Sequence, residues 1–254
     1  MDLGLAERVY LVTGGTSGLG HATAEALVRD GAKVVVSSRD EARVAKAAAE
    51  WGSSAIGVAV DNADPDAPRR LTDAALAAFG RVDGALVSVG GPPPGVTTTV
   101  SDDAWRQSFE SIFLGTVRLV RHLAPLLARG EPRDDGGAIA VVLSSSAKTP
   151  LPRLSVSNGL RAGLAMLIKD LADELGPQDT RVLGLLPGKV LTGRTLALEK
   201  GDPQARTRAE AAIPLRRLGD PAEFGQMAAV LLSPAASYVT GSLVSIDGGA
   251  IRAL

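Results

Sequence analysis

Short aliphatic runs punctuate the chain at Val9–Val12, Lys33–Ser37, Ala55–Val60, Gly84–Val89, Ala138–Leu143, Arg181–Leu186 and Leu243–Ile246. They lack the strict apolar–polar alternation of a strand with one wet face, so each reads as a strand covered on both sides. Between them, apolar positions recur at helical spacing over Gly18–Arg29, Glu41–Glu50, Pro65–Phe79, Asp102–Ala128, Leu160–Leu175 and Pro221–Leu232. Such alternation predicts an α/β fold: a doubly wound, seven-stranded parallel sheet with right-handed crossovers and helices on both faces. No linker interrupts the rhythm, so residues 1–254 read as a single domain. Ligands of such sheets lie beyond the carboxyl ends of the strands, where strand order reverses. The residues just after each strand are therefore the ones to inspect.

One segment departs from the pattern. Between Pro187 and Pro214 the chain mixes helix formers and charges (Thr195–Lys200, then Arg206–Ala212). An insertion at about 188–214, after a strand end, is expected to hang over the crevice as a substrate lid; a solvated surface excursion is the alternative. Asp134-Asp135-Gly136-Gly137 reads as a turn before a strand.

Composition narrows the possibilities. Apolar residues make up 45% of the chain and aromatics 3%, so aliphatic side chains must fill the core. The net charge of −1 and the lack of a basic stripe argue against nucleic acid as a partner. The absence of cysteine excludes disulfides, thiolate metal sites and thiol nucleophiles. His21 and His122 lie far apart, so no metal site is expected. Neither a secretion signal nor a membrane span is apparent, and a cytoplasmic protein is expected.

The most informative chemistry lies in Thr13-Gly14-Gly15-Thr16-Ser17-Gly18-Leu19-Gly20, directly after the first strand. Strand, glycine-rich turn and helix N-terminus together let a backbone approach a phosphate, and the helix dipole favours its negative charge. In this context the turn predicts a dinucleotide-binding domain.

The spacing differs from G-x-G-x-x-G and resembles the short-chain dehydrogenase/reductase superfamily, in particular its 3-oxoacyl-carrier-protein reductase-like branch. Supporting matches are Asp61 after the third strand, Trp105, Ser144-Ser145, Pro187-Gly188 with Thr192, Arg217-Leu218-Gly219-Asp220-Pro221 and Asp247-Gly248-Gly249. The resemblance spans nearly the whole chain. It implies a Rossmann-type fold, a nicotinamide cofactor and a homo-oligomer, tetramer or dimer, with Asp102–Ala128 and Leu160–Leu175 as the contact helices. On the cofactor side it implies roles for Gly14, Thr16, Ser17, Gly18, Leu19, Gly20 and Gly90. Asp61, with Asn62 beside it, would accept from the adenine amino group. Pro187, Gly188, Val190 and Thr192 would lie toward the nicotinamide. After the second strand stand Ser38 and Arg39, where a carboxylate would select NAD. A guanidinium and a hydroxyl suit the extra phosphate of NADP, so NADP is favoured, with NAD possible.

The catalytic side departs from the family. The tyrosine position holds Ser157 and the lysine four residues on is Arg161, while Ile112 replaces the asparagine of the fourth helix. The sole tyrosines, Tyr10 and Tyr238, lie elsewhere in the sequence. Carbonyl reduction needs a hydride on carbon and a proton or positive charge on oxygen. Two routes remain. Ser144 or Ser145 with Ser157 could bond the substrate oxygen while Arg161 or Lys148 stabilises the alkoxide, or Lys148 could itself be the acid. Ser145-x-x-Lys148 also has the spacing of a serine–lysine nucleophile pair, but that pair needs a helix where a strand has just ended. Halohydrin dehalogenases, which resemble this superfamily, keep the tyrosine and lose the glycine loop, the reverse of what stands here. Asn158 is a candidate helix cap, and Gly91-Pro92-Pro93-Pro94-Gly95 is a stiff loop beside the crevice. The leading expectation is an NADP-dependent oxidoreductase of small carbonyls or alcohols. A catalytically silent NADP-binding protein and a non-redox lyase are the alternatives.

Overall fold

The computed structural model describes residues 2–128 and 136–253. Its elements run β1 (Val9–Thr13), α1 (Gly18–Arg29), β2 (Lys33–Ser38), α2 (Glu41–Ala49), β3 (Ala55–Ala59), α3 (Ala67–Phe79) and β4 (Gly84–Val87). Then follow α4 (Asp102–Ser108), α5 (Gly115–Leu127), β5 (Ala138–Val142), α6 (Ser155–Leu175), β6 (Arg181–Pro187), α7 (Gly193–Glu199), α8 (Ala205–Ala212), α9 (Pro221–Leu232) and β7 (Leu243–Ile246). The strands form one parallel sheet in the order β3-β2-β1-β4-β5-β6-β7. This is the Rossmann-type arrangement expected from the aliphatic runs. The order reverses between β1 and β4, and the ligand crevice of such a sheet opens there.

Period-two geometry divides the aliphatic residues between two layers. Val9, Leu11, Val35, Ile139, Val141 and Val182 pack under α3, α5 and α6. Tyr10, Val12, Val34, Val36, Ala140 and Leu183 pack under α1 and α9. The helices α1 and α9 touch closely, since a Cβ on Gly225 would stand 2.2 Å from the Ala22 carbonyl oxygen. Burial of each Val or Leu at about 1.5–3 kcal/mol makes these layers the main source of stability.

The differences from the expected boundaries have local causes. β4 stops at Val87 rather than Val89 because Thr13 captures the next residue: its Oγ1 donates to the Ser88 carbonyl (3.0 Å) and accepts from the Ser88 N–H (2.9 Å). The helix expected over Asp102–Ala128 widens into a π-type turn at Phe109–Leu114, between α4 and α5. α6 starts at Ser155, five residues before Leu160. Asn158 is thus inside it and is not its cap; its side chain exchanges two hydrogen bonds, each 3.0 Å, with the Leu151 backbone. The expected turn at Asp134-Asp135-Gly136-Gly137 begins outside the described residues. The 188–214 segment contains α7 and α8. No helix of the described residues is long and apolar enough to cross a membrane.

Candidate functional site

The turn between β1 and α1 is shaped by backbone that only glycine adopts easily: Gly14 has φ +60° and Gly18 φ +56°. A Cβ on Gly14 would also lie 2.6 Å from the Ser88 carbonyl oxygen, so the loop sits tightly against the end of β4. Gly20 serves packing within the loop, since its Cβ would come within 2.4 Å of the Gly14 oxygen. Gly15 N–H is tied to the Ser37 carbonyl of β2 (3.1 Å). Ser17 stands at the N-cap of α1 in extended conformation, yet its hydroxyl caps nothing, and the first turn of the helix carries no acidic residue. The leading N–H groups and the positive end of the dipole therefore face the crevice without a side-chain acceptor. Thr16 is half-buried and Ser17 exposed, while Leu19 leans on the core layer under α1.

The other cofactor candidates gather on the same sheet edge. Thr192 caps α7, and its Cγ2 lies 3.4 Å from where a Cβ of Gly18 would be, so the segment after β6 meets the glycine loop. Pro187 closes β6, and Gly188 is pressed so closely on Asp247 that a Cβ would approach its backbone to 2.6 Å. Val190 is buried and bridges to Gly219, which leaves its backbone rather than its side chain for a ligand. Gly90 is exposed and has open space around its Cβ position. Asp61 accepts from the Ala63 N–H (3.0 Å), a turn that fixes its carboxylate after β3. The Asn62 carbonyl packs where Gly115 begins α5. After β2, Asp40 is spent capping α2 through the Arg43 N–H (3.1 Å), and Ser38 Oγ lies 3.4 Å from the Asp40 N–H. Arg39 is exposed with no ion pair among the described residues. A cradle closed to side chains, an uncapped helix start and a free guanidinium fit a dinucleotide with an added phosphate.

On the catalytic side the structure sorts the candidates. Ser144 Oγ accepts from the Ser146 N–H (3.1 Å), which leaves its own hydroxyl proton to donate. Ser157 does not pair with Ser144 or Ser145: its Oγ lies 3.0 Å from Ser146 Oγ, and both side chains are buried. Arg161 is also buried. It donates to the Val142 carbonyl at the end of β5 (2.6 Å) and to the Val89 carbonyl beyond β4 (3.3 Å). Burial, with a smaller effect from the charge of Arg194, pushes its pKa down to about 10. The guanidinium therefore clasps the chain at the end of β5 and just past neighbouring β4, with two of its five N–H donors engaged. Lys148 is half-buried just past the turn that follows β5, and its ammonium has no ion pair among the described residues. Ser145 is half-buried in that same turn.

Two residues escaped the sequence reading. Ser146 was one of three neighbouring serines that a linear pattern cannot rank. Arg194 was one charge among many in the 188–214 segment, and it reaches across to the Gly91 (3.2 Å) and Pro92 (2.8 Å) carbonyls. Its position two residues after the capping Thr192, in the first turn of α7, was the available signal.

A glycine-lined turn at the reversal point of a doubly wound sheet, with serines and cations past the neighbouring strands, defines a nucleotide-dependent oxidoreductase architecture. Residues 14–250 match a family model described as enoyl-(acyl carrier protein) reductase. The chain is 33% identical to dehydrogenase/reductase SDR family member 4 of Bos taurus over 98% of this chain and 89% of that one. It resembles the structure of L-sorbose reductase from Gluconobacter frateurii complexed with NADPH and L-sorbose, at TM-score 0.92 and 30% identity over 100% of both chains. A 3-ketoacyl-(acyl-carrier-protein) reductase from Brucella melitensis, complexed with NADH, matches at TM-score 0.88 and 31% identity over 97% of this chain and 99% of that one. The chain belongs to the short-chain dehydrogenase/reductase family and is an oxidoreductase of that type.

Proposed function

We propose that the protein transfers hydride between NADP(H) and a small carbonyl or alcohol, with an acid other than tyrosine. The observation that carries the cofactor half is the Gly14–Gly18 turn with the uncapped start of α1, flanked by Thr192 on one side and Arg39 on the other. When bound, the nicotinamide supplies the hydride. The chain's own residues must then handle the substrate oxygen. Ser144 has a hydroxyl proton to donate to it, and Lys148 brings a half-buried positive charge from the same loop. Arg161 and the Ser146–Ser157 pair act one step removed, holding the ends of β4 and β5 and the start of α6 in register.

A silent NADP-binding role is the second reading, favoured by one observation: the groups replacing tyrosine and lysine are spent on internal hydrogen bonds. Lys148→Met separates the two. With NADPH and a panel of small ketones and aldehydes, the first reading expects kcat to fall at least about 100-fold, the scale of a lost general acid. Melting temperature and NADPH affinity should stay near the parent values. Turnover unaffected by the substitution removes Lys148 from the chemistry. No turnover of any carbonyl by the parent protein favours the silent role. The segment 188–214 is read as the lid over this crevice, and α5 and α6 as the faces of a homodimer or tetramer.

A further inference from the structure

Most arginines of the described residues have a carboxylate in reach, such as Arg81 on Asp83 and Arg217 on Glu223. Buried Arg181 feels the charge of Asp179 and has the C-terminal carbonyls of α9, donating to Leu231 (2.8 Å), Leu232 (3.2 Å) and Ser233 (2.9 Å), where a helix dipole is negative. Arg161 and Arg194 have neither. They grip one short segment beyond β4 from two sides: Arg161 takes Val89, and Arg194 takes Gly91 and Pro92. A Cβ on Gly91 would lie 2.4 Å from Arg194 Nε, so this guanidinium lies flat on the bare backbone. Neither forms an ion pair with any acidic residue of the described chain, and their charges repel each other.

Two cations close enough to interact, one of them buried, form a costly arrangement unless a ligand completes it. Each guanidinium carries five N–H donors, of which two per arginine are engaged by these carbonyls. Arg194 is the exposed member, borne on the 188–214 segment. Its planar fork matches a carboxylate in bidentate geometry.

We propose that the crevice takes a substrate bearing a carboxylate, which Arg194 grips directly while Arg161 supplies a buried positive field behind it. The inference rests on the reading of the crevice as a nicotinamide-dependent site and names the substrate class for it. The cofactor's own phosphates are the other source of negative charge, but they are served by the glycine loop and α1, which follow β1. Arg161 clasps the ends of β4 and β5.

The test uses the NADPH-saturated protein at constant ionic strength. The probes are 4-oxopentanoate against its methyl ester and benzoate against benzamide, followed by nicotinamide fluorescence and melting temperature. The carboxylates are expected to bind saturably and at least tenfold tighter than their neutral partners. Arg194→Met should reduce that preference to within twofold, Arg194→Lys should keep part of it, and NADPH affinity should change less than threefold in both. Equal binding of acid and neutral partner, no binding by either acid, or a preference that survives in Arg194→Met overturns the proposal. Loss of NADPH affinity by more than tenfold in Arg194→Met also overturns it, by assigning the arginine to the cofactor. Absence of NADPH binding in the parent protein is read separately, in the first titration, and rejects the underlying reading.

Discussion

Removing either member of the Ser146–Ser157 pair should cost more than removing both. The two hydroxyls lie 3.0 Å apart, and their residues are 5% and 6% exposed. Ser157→Ala deletes one partner and strands the other away from water, which costs about 1–3 kcal/mol for an orphaned buried hydroxyl. Ser146→Ala does the same in reverse, so independent costs would total roughly 2–6 kcal/mol. The double variant leaves no orphan and loses only the net worth of one hydrogen bond, about 1 kcal/mol, in a site that closes over two methyl groups. The expected coupling is therefore at least about 1 kcal/mol, well above the ~0.5 kcal/mol scatter of independent sites. Urea unfolding of the four forms without cofactor measures it directly. A strictly additive cycle would refute the pairing, and Ser157 would again be a candidate for contact with the substrate.

Two further outcomes concern stability. Arg217 donates to both Glu223 oxygens (2.7 and 2.6 Å), and the Asp220 N–H donates to Oε2 (2.8 Å); with Arg217 the larger cause, the carboxyl pKa falls to about 2. Because the folded pKa lies below its unfolded value, this contribution is fully present above about pH 4.5 and is lost as pH falls through 2. The stability gap between the parent and Glu223→Gln should therefore close between those values in acid-unfolding curves, and a gap unchanged at pH 2 contradicts the assignment. Asp83 has a fully buried carboxylate accepting from Val9 N–H (2.8 Å) and Arg81 (2.8 and 2.6 Å). Asp83→Ala should cost roughly 1–3 kcal/mol, chiefly by stranding the buried Val9 N–H, since the Arg81 side chain is half exposed and can turn to water. Arg106→Ala on the surface should cost under about 1 kcal/mol in the same denaturant titrations.

Much of the fold was legible because strands buried on both faces leave uninterrupted aliphatic runs. Those runs placed all seven strands to within two residues and α1 and α9 at their observed bounds. The glycine loop was legible for a related reason: positive φ at Gly14 and Gly18 excludes other residues at little cost to the pattern around them. The catalytic side was not. Which of Ser144, Ser145 and Ser146 faces α6 depends on the rotation of one tight turn, where successive side chains point about a third of a circle apart. Arg161 stood at the position of a catalytic lysine, but its longer fork reaches the carbonyls of Val89 and Val142. That reach depends on where two strands end. The early start of α6 was hidden because its cap, Leu154, has no capping side chain and Asn158 bonds sideways to Leu151.

Titration of the parent protein with NADPH and NADH, followed by nicotinamide fluorescence, tests the cofactor cradle most directly. Saturable binding of NADPH at sub-millimolar concentration is expected, tighter than NADH. Arg39→Ala should weaken NADPH by roughly 10- to 100-fold, the worth of one charge-assisted phosphate contact, and leave NADH unchanged. No saturable signal from either nucleotide would contradict the account at its foundation.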